Sequence, residues 1–138
     1  MASLVYNNAK ELILNGGIDL VNDTIKLMLL GSGYTPSVSH SVKSDVSGYE
    51  VSGSGYTEGG TALSNKTVSR SGATVKFDAD DVEFTDLSPS FRYAVIYDDT
   101  HANDALIALL DPEDLQEPDG ANAKIAFDSD GILTLTDG

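Results

Sequence analysis

Apolar positions fall along this chain in short runs separated by Gly, Asp, Asn and Ser. The strongest run is Phe91-Arg92-Tyr93-Ala94-Val95-Ile96-Tyr97-Asp98, where six of eight side chains are apolar or aromatic and neither Gly nor Pro intervenes. A run this short, rich in aromatic and β-branched residues, predicts a central strand that is apolar on both faces. Ser88-Pro89-Ser90 before it and Asp98-Asp99-Thr100 after it supply turn chemistry at both ends. Asp104 to Asp111 is a second run apolar on both faces. Its Ala and Leu content also suits a helix, but its length favours a strand.

The other candidate strands are one-sided. In Thr24 to Leu30, Ile25, Leu27 and Leu29 face one way and Lys26 the other. Ala62 to Arg70 is a weaker candidate with Val68 as its best apolar position, and Ser71-Gly72 reads as a turn. Ala73, Val75, Phe77 and Ala79 alternate with Thr74, Lys76 and Asp78, and Val82 and Phe84 continue the pattern. Asn122 to Asp128 and Ile132 to Thr136 flank Asp128-Ser129-Asp130-Gly131. That spacing predicts a hairpin, with Gly131 suited to positive φ. Only Val5 to Asn15 has helical periodicity: Val5, Ala9, Leu12 and Ile13 form a stripe that Tyr6 and Leu14 widen, and Gly16-Gly17 stops it. A helix of about ten residues does not hold its shape alone and must pack on a sheet. The pattern therefore predicts a mainly β chain. The expected architecture is an antiparallel β-sandwich or flattened barrel of about 7–8 strands, with one short N-terminal helix. With 138 residues, no internal repeat and no linker, residues 1–138 are expected to form a single domain.

Residues 31–60 break the pattern. Gly, Ser, Tyr, Thr and Val dominate without sustained periodicity, between Gly31-Ser32-Gly33 and Glu58-Gly59-Gly60. A loop of this length in a compact domain is usually functional or disordered. Tyr34, Tyr49 and Tyr56 punctuate it. Such rings combine contact area with a polar tip, a combination enriched at interfaces. They either meet a partner or pin the loop onto its own domain. Together with Tyr6 and Leu12 of the predicted helix they are the candidate protein-interface residues.

Charge narrows the partners. Twenty-two acidic and eight basic side chains give a net charge of −14. A field of that sign repels phosphate backbones and anionic bilayers, so neither nucleic acid nor membrane is an expected partner. The Met1 to Val5 segment has no basic residue and no long apolar run, so no signal peptide is expected. No apolar stretch reaches the ~20 residues of a membrane span. Cys is absent, which excludes disulfides and thiolate metal sites.

Candidate chemistry is sparse. His40 and His101 lie in predicted loops without a Glu or His at metal-ligand spacing. No G-x-S-x-G elbow occurs, and neither Gly31-Ser32-Gly33 nor Gly53-Ser54-Gly55 continues into a phosphate-binding loop. Asp128-Ser129-Asp130-Gly131 resembles the start of a calcium loop but lacks its third ligand and closing Glu. Asp78, Asp80 and Asp81 form a second acidic cluster. A carboxylate pair for glycoside chemistry lacks a Trp platform, since Trp is absent. No catalytic residue, metal or cofactor is assigned, and an enzyme is not expected.

Several phrases in order carry a resemblance: Asp23-Thr24-Ile25-Lys26, Gly33-Tyr34-Thr35-Pro36, Tyr49 through Thr57, Gly59-Gly60, Arg92 through Tyr97, and Asp130-Gly131-Ile132-Leu133. Over about residues 6–135 the chain resembles a family of small virion structural proteins of tailed bacteriophages. The resemblance implies a non-enzymatic role on the phage particle after synthesis in the bacterial host cytoplasm. It implies a capsid decoration or cement protein, a head-fibre base, or a neck or tail component, and the first is the leading expectation, as a homo-oligomer that binds capsid or other virion proteins. A neck or tail component is the alternative, and a carbohydrate-binding module of a fibre is a further one.

Overall fold

The structure, a computed structural model, describes residues 2–136. In chain order it contains β1 (Ala2–Val5), α1 (Asn7–Asn15), β2 (Ile25–Leu30), β3 (Thr61–Ala62), β4 (Thr67–Ser71), β5 (Thr74–Asp78), β6 (Val82–Leu87), β7 (Tyr93–Asp98), β8 (Leu106–Asp111), β9 (Ala121–Ile125) and β10 (Leu133–Thr136). The chain is mainly β, as its periodicity predicts, and every strand pairing is antiparallel. The strands form a five-stranded sheet in the order β1-β8-β7-β2-β3, a three-stranded sheet β10-β5-β4, and a β6-β9 pair.

β7 is the middle strand of the large sheet, and all of it except Tyr93 is buried. β8 and β2 flank it and are buried almost throughout. Three adjacent strands without a solvent face explain the runs that are apolar on both sides. A bulge lets Ile107 of β8 stand outside the register, because Ile96 faces Ala108 while Tyr97 faces Leu106. The carbonyl of Ile107 accepts the Tyr6 amide at 3.1 Å, which ties the β1–α1 corner to the central sheet.

Four sequence expectations change. The helix starts at Asn7, since Val5 is claimed by β1, which pairs with β8. Pairing with a buried neighbour satisfies that backbone better than another half-turn of helix. The span 62–70 splits into β3 and β4, with Asn65 at positive φ between them. Ten strands form among the described residues, against about 7–8 expected, and the surplus is short edge pieces. The predicted C-terminal hairpin does not form. Gly131 does adopt positive φ, and its amide bonds Asp128 across the turn. However, β9 pairs with β6 and β10 pairs with β5. Turn chemistry sets the reversal, but which edge each arm meets depends on side chains far away in sequence.

The three-stranded sheet projects from this body. Phe77 of β5 is buried at its root. All five residues of β4 are exposed, as are Thr134, Leu135 and Thr136 of β10.

Candidate functional site

The long loop is held by its aromatic side chains. Tyr34 is buried, and its hydroxyl lies 3.1 Å from the Tyr6 hydroxyl and 2.8 Å from His40 Nδ1. Its ring packs edge-on against Tyr93 and tilted against Tyr49. The Tyr56 hydroxyl donates to Glu50 Oε2 and accepts the Leu29 amide at 3.2 Å. Glu50 Oε2 also accepts the Gly59 amide at 2.8 Å, and the buried Tyr97 hydroxyl donates to the Gly59 carbonyl at 2.6 Å. Burial, reinforced by the Tyr34 contact for Tyr6 and by Glu50 for Tyr56, raises both phenols well above their ordinary range. These hydroxyls therefore stay protonated and keep bonding.

The interface candidates separate accordingly. Tyr6 and Tyr34 lie in the core and do not face a partner, and Tyr56 is half-buried as a clamp of the loop. Leu12 is half-buried against the core. Tyr49, 46% exposed, is the one candidate with a free ring surface. Aromatic spacing finds rings but does not tell which way they turn. Here three of the four tyrosines turn inward, their hydroxyls bonded to one another, to His40, to Glu50 and to the Leu29 amide.

The exposed apolar surface lies elsewhere. Leu14 of α1 is 74% exposed and Leu135 of β10 is 56% exposed. They share a groove of about 330 Å³ whose other walls are Val5, Lys10, Ile13, Leu133 and Thr134. Val68 of β4, 48% exposed, lies in the same cross-strand row as Phe77 and Leu133. The opposite face of this sheet is a polar groove of about 510 Å³, lined by Ser69, Ser71, Thr74, Lys76, Asp130, Thr134 and Thr136. The widened helical stripe, Leu14 added to Ile13, was the sequence signal for the apolar groove. A sheet covers one side of a helix, and the extra leucine has no place there.

The acidic candidates are each engaged separately. Asp78 Oδ1 accepts the Ala79 amide, Asp80 holds Asn65, and Asp81 Oδ1 accepts the Phe127 amide while Oδ2 pairs with Lys124 at 3.7 Å. On the Asp128–Gly131 turn, Lys76 Nζ donates to the Ser129 carbonyl at 3.2 Å. Among the described residues no three His, Asp or Glu side chains gather in metal-holding geometry. His101 Nδ1 accepts the Asn103 amide at 3.1 Å.

One carboxyl is unlike the others. Asp98, read from sequence as turn chemistry, is fully buried at the end of β7. Its Oδ1 accepts the amides of Thr100 at 2.9 Å and His101 at 3.2 Å. Its Oδ2 has no donor and faces the Asp23 carboxyl. Burial, then the Asp23 contact, pushes Asp98 up to about 7. Around the pair, Lys66 Nζ donates to the Asp23 carbonyl, and Lys26 bridges Asp99 at 3.4 Å.

Compared with protein-family models, with curated proteins and with solved structures, the chain shows no match.

Proposed function

We propose that this chain is a non-enzymatic structural protein of a tailed-bacteriophage particle, acting as a decoration protein that binds other virion subunits. The observation that carries the reading is the exposed apolar surface formed by Leu14 of α1 with Val68 and Leu135 of the projecting sheet, on a body with a dense core. Soluble monomers seldom leave large apolar side chains grouped in this way unless the surface meets another protein. The tyrosine-pinned loop supports the same reading, since a fixed surface binds without an ordering cost. The net charge of −14 favours protein over nucleic-acid partners. The order of sequence phrases resembling small virion proteins supplies the biological setting.

Quantitative mass analysis of purified virions tests this. Decoration requires the chain in hundreds of copies per particle. A dozen copies or fewer would reassign it to the neck or tail, and its absence from particles would end the structural reading.

A further inference from the structure

The groove between α1 and β10 has the shape of a strand site. Leu133, Thr134 and Leu135 all line it. Consecutive strand residues point to opposite faces, so a groove touching all three follows the edge of the strand. β10 is an edge strand of the three-stranded sheet, and among the described residues the one strand it pairs with is β5. An open edge is a template for pairing with another chain, and natural edges are commonly blunted by charge, Pro or a bulge. The sequence Leu133-Thr134-Leu135-Thr136 has none of the charges or prolines. Beside it, Ile13 and Leu14 of α1 form an apolar wall. An extended segment with apolar residues at alternate positions fits this cleft.

Charge selects the occupant. The elements around the groove, α1, β4, β5 and β10, carry Lys10, Arg70 and Lys76 against Glu11 and Asp78, a net of +1. The rest of the chain therefore carries −15. Among the described residues, Lys10, Arg70 and Lys76 bond to an amide side chain or to backbone carbonyls, whereas Lys26, Arg92 and Lys124 pair with carboxylates. Two copies of so acidic a molecule repel each other over nearly all their surface. Even with Asp130 and Asp137 flanking β10 in the sequence, which bring the net of this face to −1, it is the least acidic face of the chain and the one where two copies approach with the least repulsion.

We infer that the chain dimerises through this face. β10 of one copy pairs antiparallel with β10 of a second copy about a two-fold axis, and Leu133 and Leu135 of each enter the cleft walled by Ile13 and Leu14 of the other. The two three-stranded sheets join into one of six strands. Two-fold self-pairing suits this strand, because an antiparallel partner of identical sequence sets Leu and Thr against their own kind. The inference deepens the structural-protein reading and rests on it for its biological setting, while the dimer itself is a property of the isolated chain.

Sedimentation velocity or light scattering on the full chain tests it, across a range from low micromolar to several hundred micromolar. The expected result is a species of twice the 14.5 kDa chain mass. Leu135→Glu and Leu14→Glu place two carboxylates in each dimer interface and remove two buried leucines. Each variant is expected to weaken dimerisation by roughly 100-fold or more while keeping the wild-type circular dichroism spectrum. Leu115→Glu, a comparably exposed site away from the groove, is expected to dimerise as wild type does. A wild-type chain that stays monomeric at several hundred micromolar overturns the inference, as does an oligomer that survives both groove variants. Either result leaves the virion assay untouched, and a dimer absent from virions would instead overturn the functional reading.

Discussion

Replacing Asp98 by Asn should make the protein more stable at pH 8 and leave it little changed at pH 4. The wild-type carboxyl is fully buried, with Oδ2 lacking a donor and Asp23 facing it. Burial and that neighbour raise its pKa from an ordinary 3.8 to about 7. A raised acid pKa means that the folded state binds the proton more tightly than the unfolded chain. Between pH 4 and 7 the folded state therefore holds more protons, and stability falls as pH rises through that window. The full penalty is present above pH 7. A shift of about three units corresponds to about 4 kcal/mol, an upper bound because Asp23 shares the cost. Asp98→Asn keeps an oxygen for the Thr100 and His101 amides and places a donor amide toward Asp23. The expected gain at pH 8 is about 2–4 kcal/mol, or roughly 10 °C in midpoint for a chain of this size. Urea and thermal unfolding of both proteins at pH 4, 6 and 8 would measure it. General self-repulsion of an acidic chain also lowers stability with rising pH, so the informative quantity is the difference between the two proteins. A difference that does not grow between pH 4 and pH 8, or a variant less stable at pH 8, would refute the reasoning.

Backbone geometry gives a second contrast. A Cβ on Gly60, at φ +84°, would stand 1.9 Å from the Leu27 carbonyl oxygen, whereas one on Gly72, at φ +61°, meets nothing within 4 Å. Gly60→Ala should cost more than about 3 kcal/mol and Gly72→Ala about 1 kcal/mol, read by urea unfolding. Glu50→Ala leaves the Tyr56 hydroxyl and the Gly59 amide without their acceptor. It should cost about 2–3 kcal/mol and speed amide exchange over residues 50–60 before the central strands respond.

The sequence was readable where one physical demand dominates. Strands buried on both sides must be apolar throughout, so β7 and β8 stand out, and the helix ends at a glycine that takes the left-handed conformation, Gly16 at φ +85°. Positions set by partners distant in the chain were hidden. β10 looks like the second arm of a hairpin, yet its partner β5 lies more than fifty residues earlier. Tyr6 and Tyr34 look like contact residues because composition does not distinguish a ring facing a partner from one facing its own loop. Asp98 carries the same letter as Asp99, but one is buried and the other exposed. Only the corner formed by Asp23, Thr24 and Thr100 reveals the difference, through the Asp99 amide on the Thr24 carbonyl and the Thr24 amide on Thr100 Oγ1.

The tyrosine hydroxyls that fasten the long loop have a further consequence. The Tyr6–Tyr34 and Tyr97–Gly59 fastenings join uncharged groups, so dissolved ions have little to screen there, whereas Glu50, Asp45 and Lys43 supply the charged ones. The phenols of Tyr6, Tyr56 and Tyr97 keep their protons well above neutral pH. The Tyr56 and Tyr97 fastenings should thus hold far into alkaline solution. Whatever meets the exposed Tyr49 ring finds a mould already set, and tuning that encounter falls to the charged surface around it.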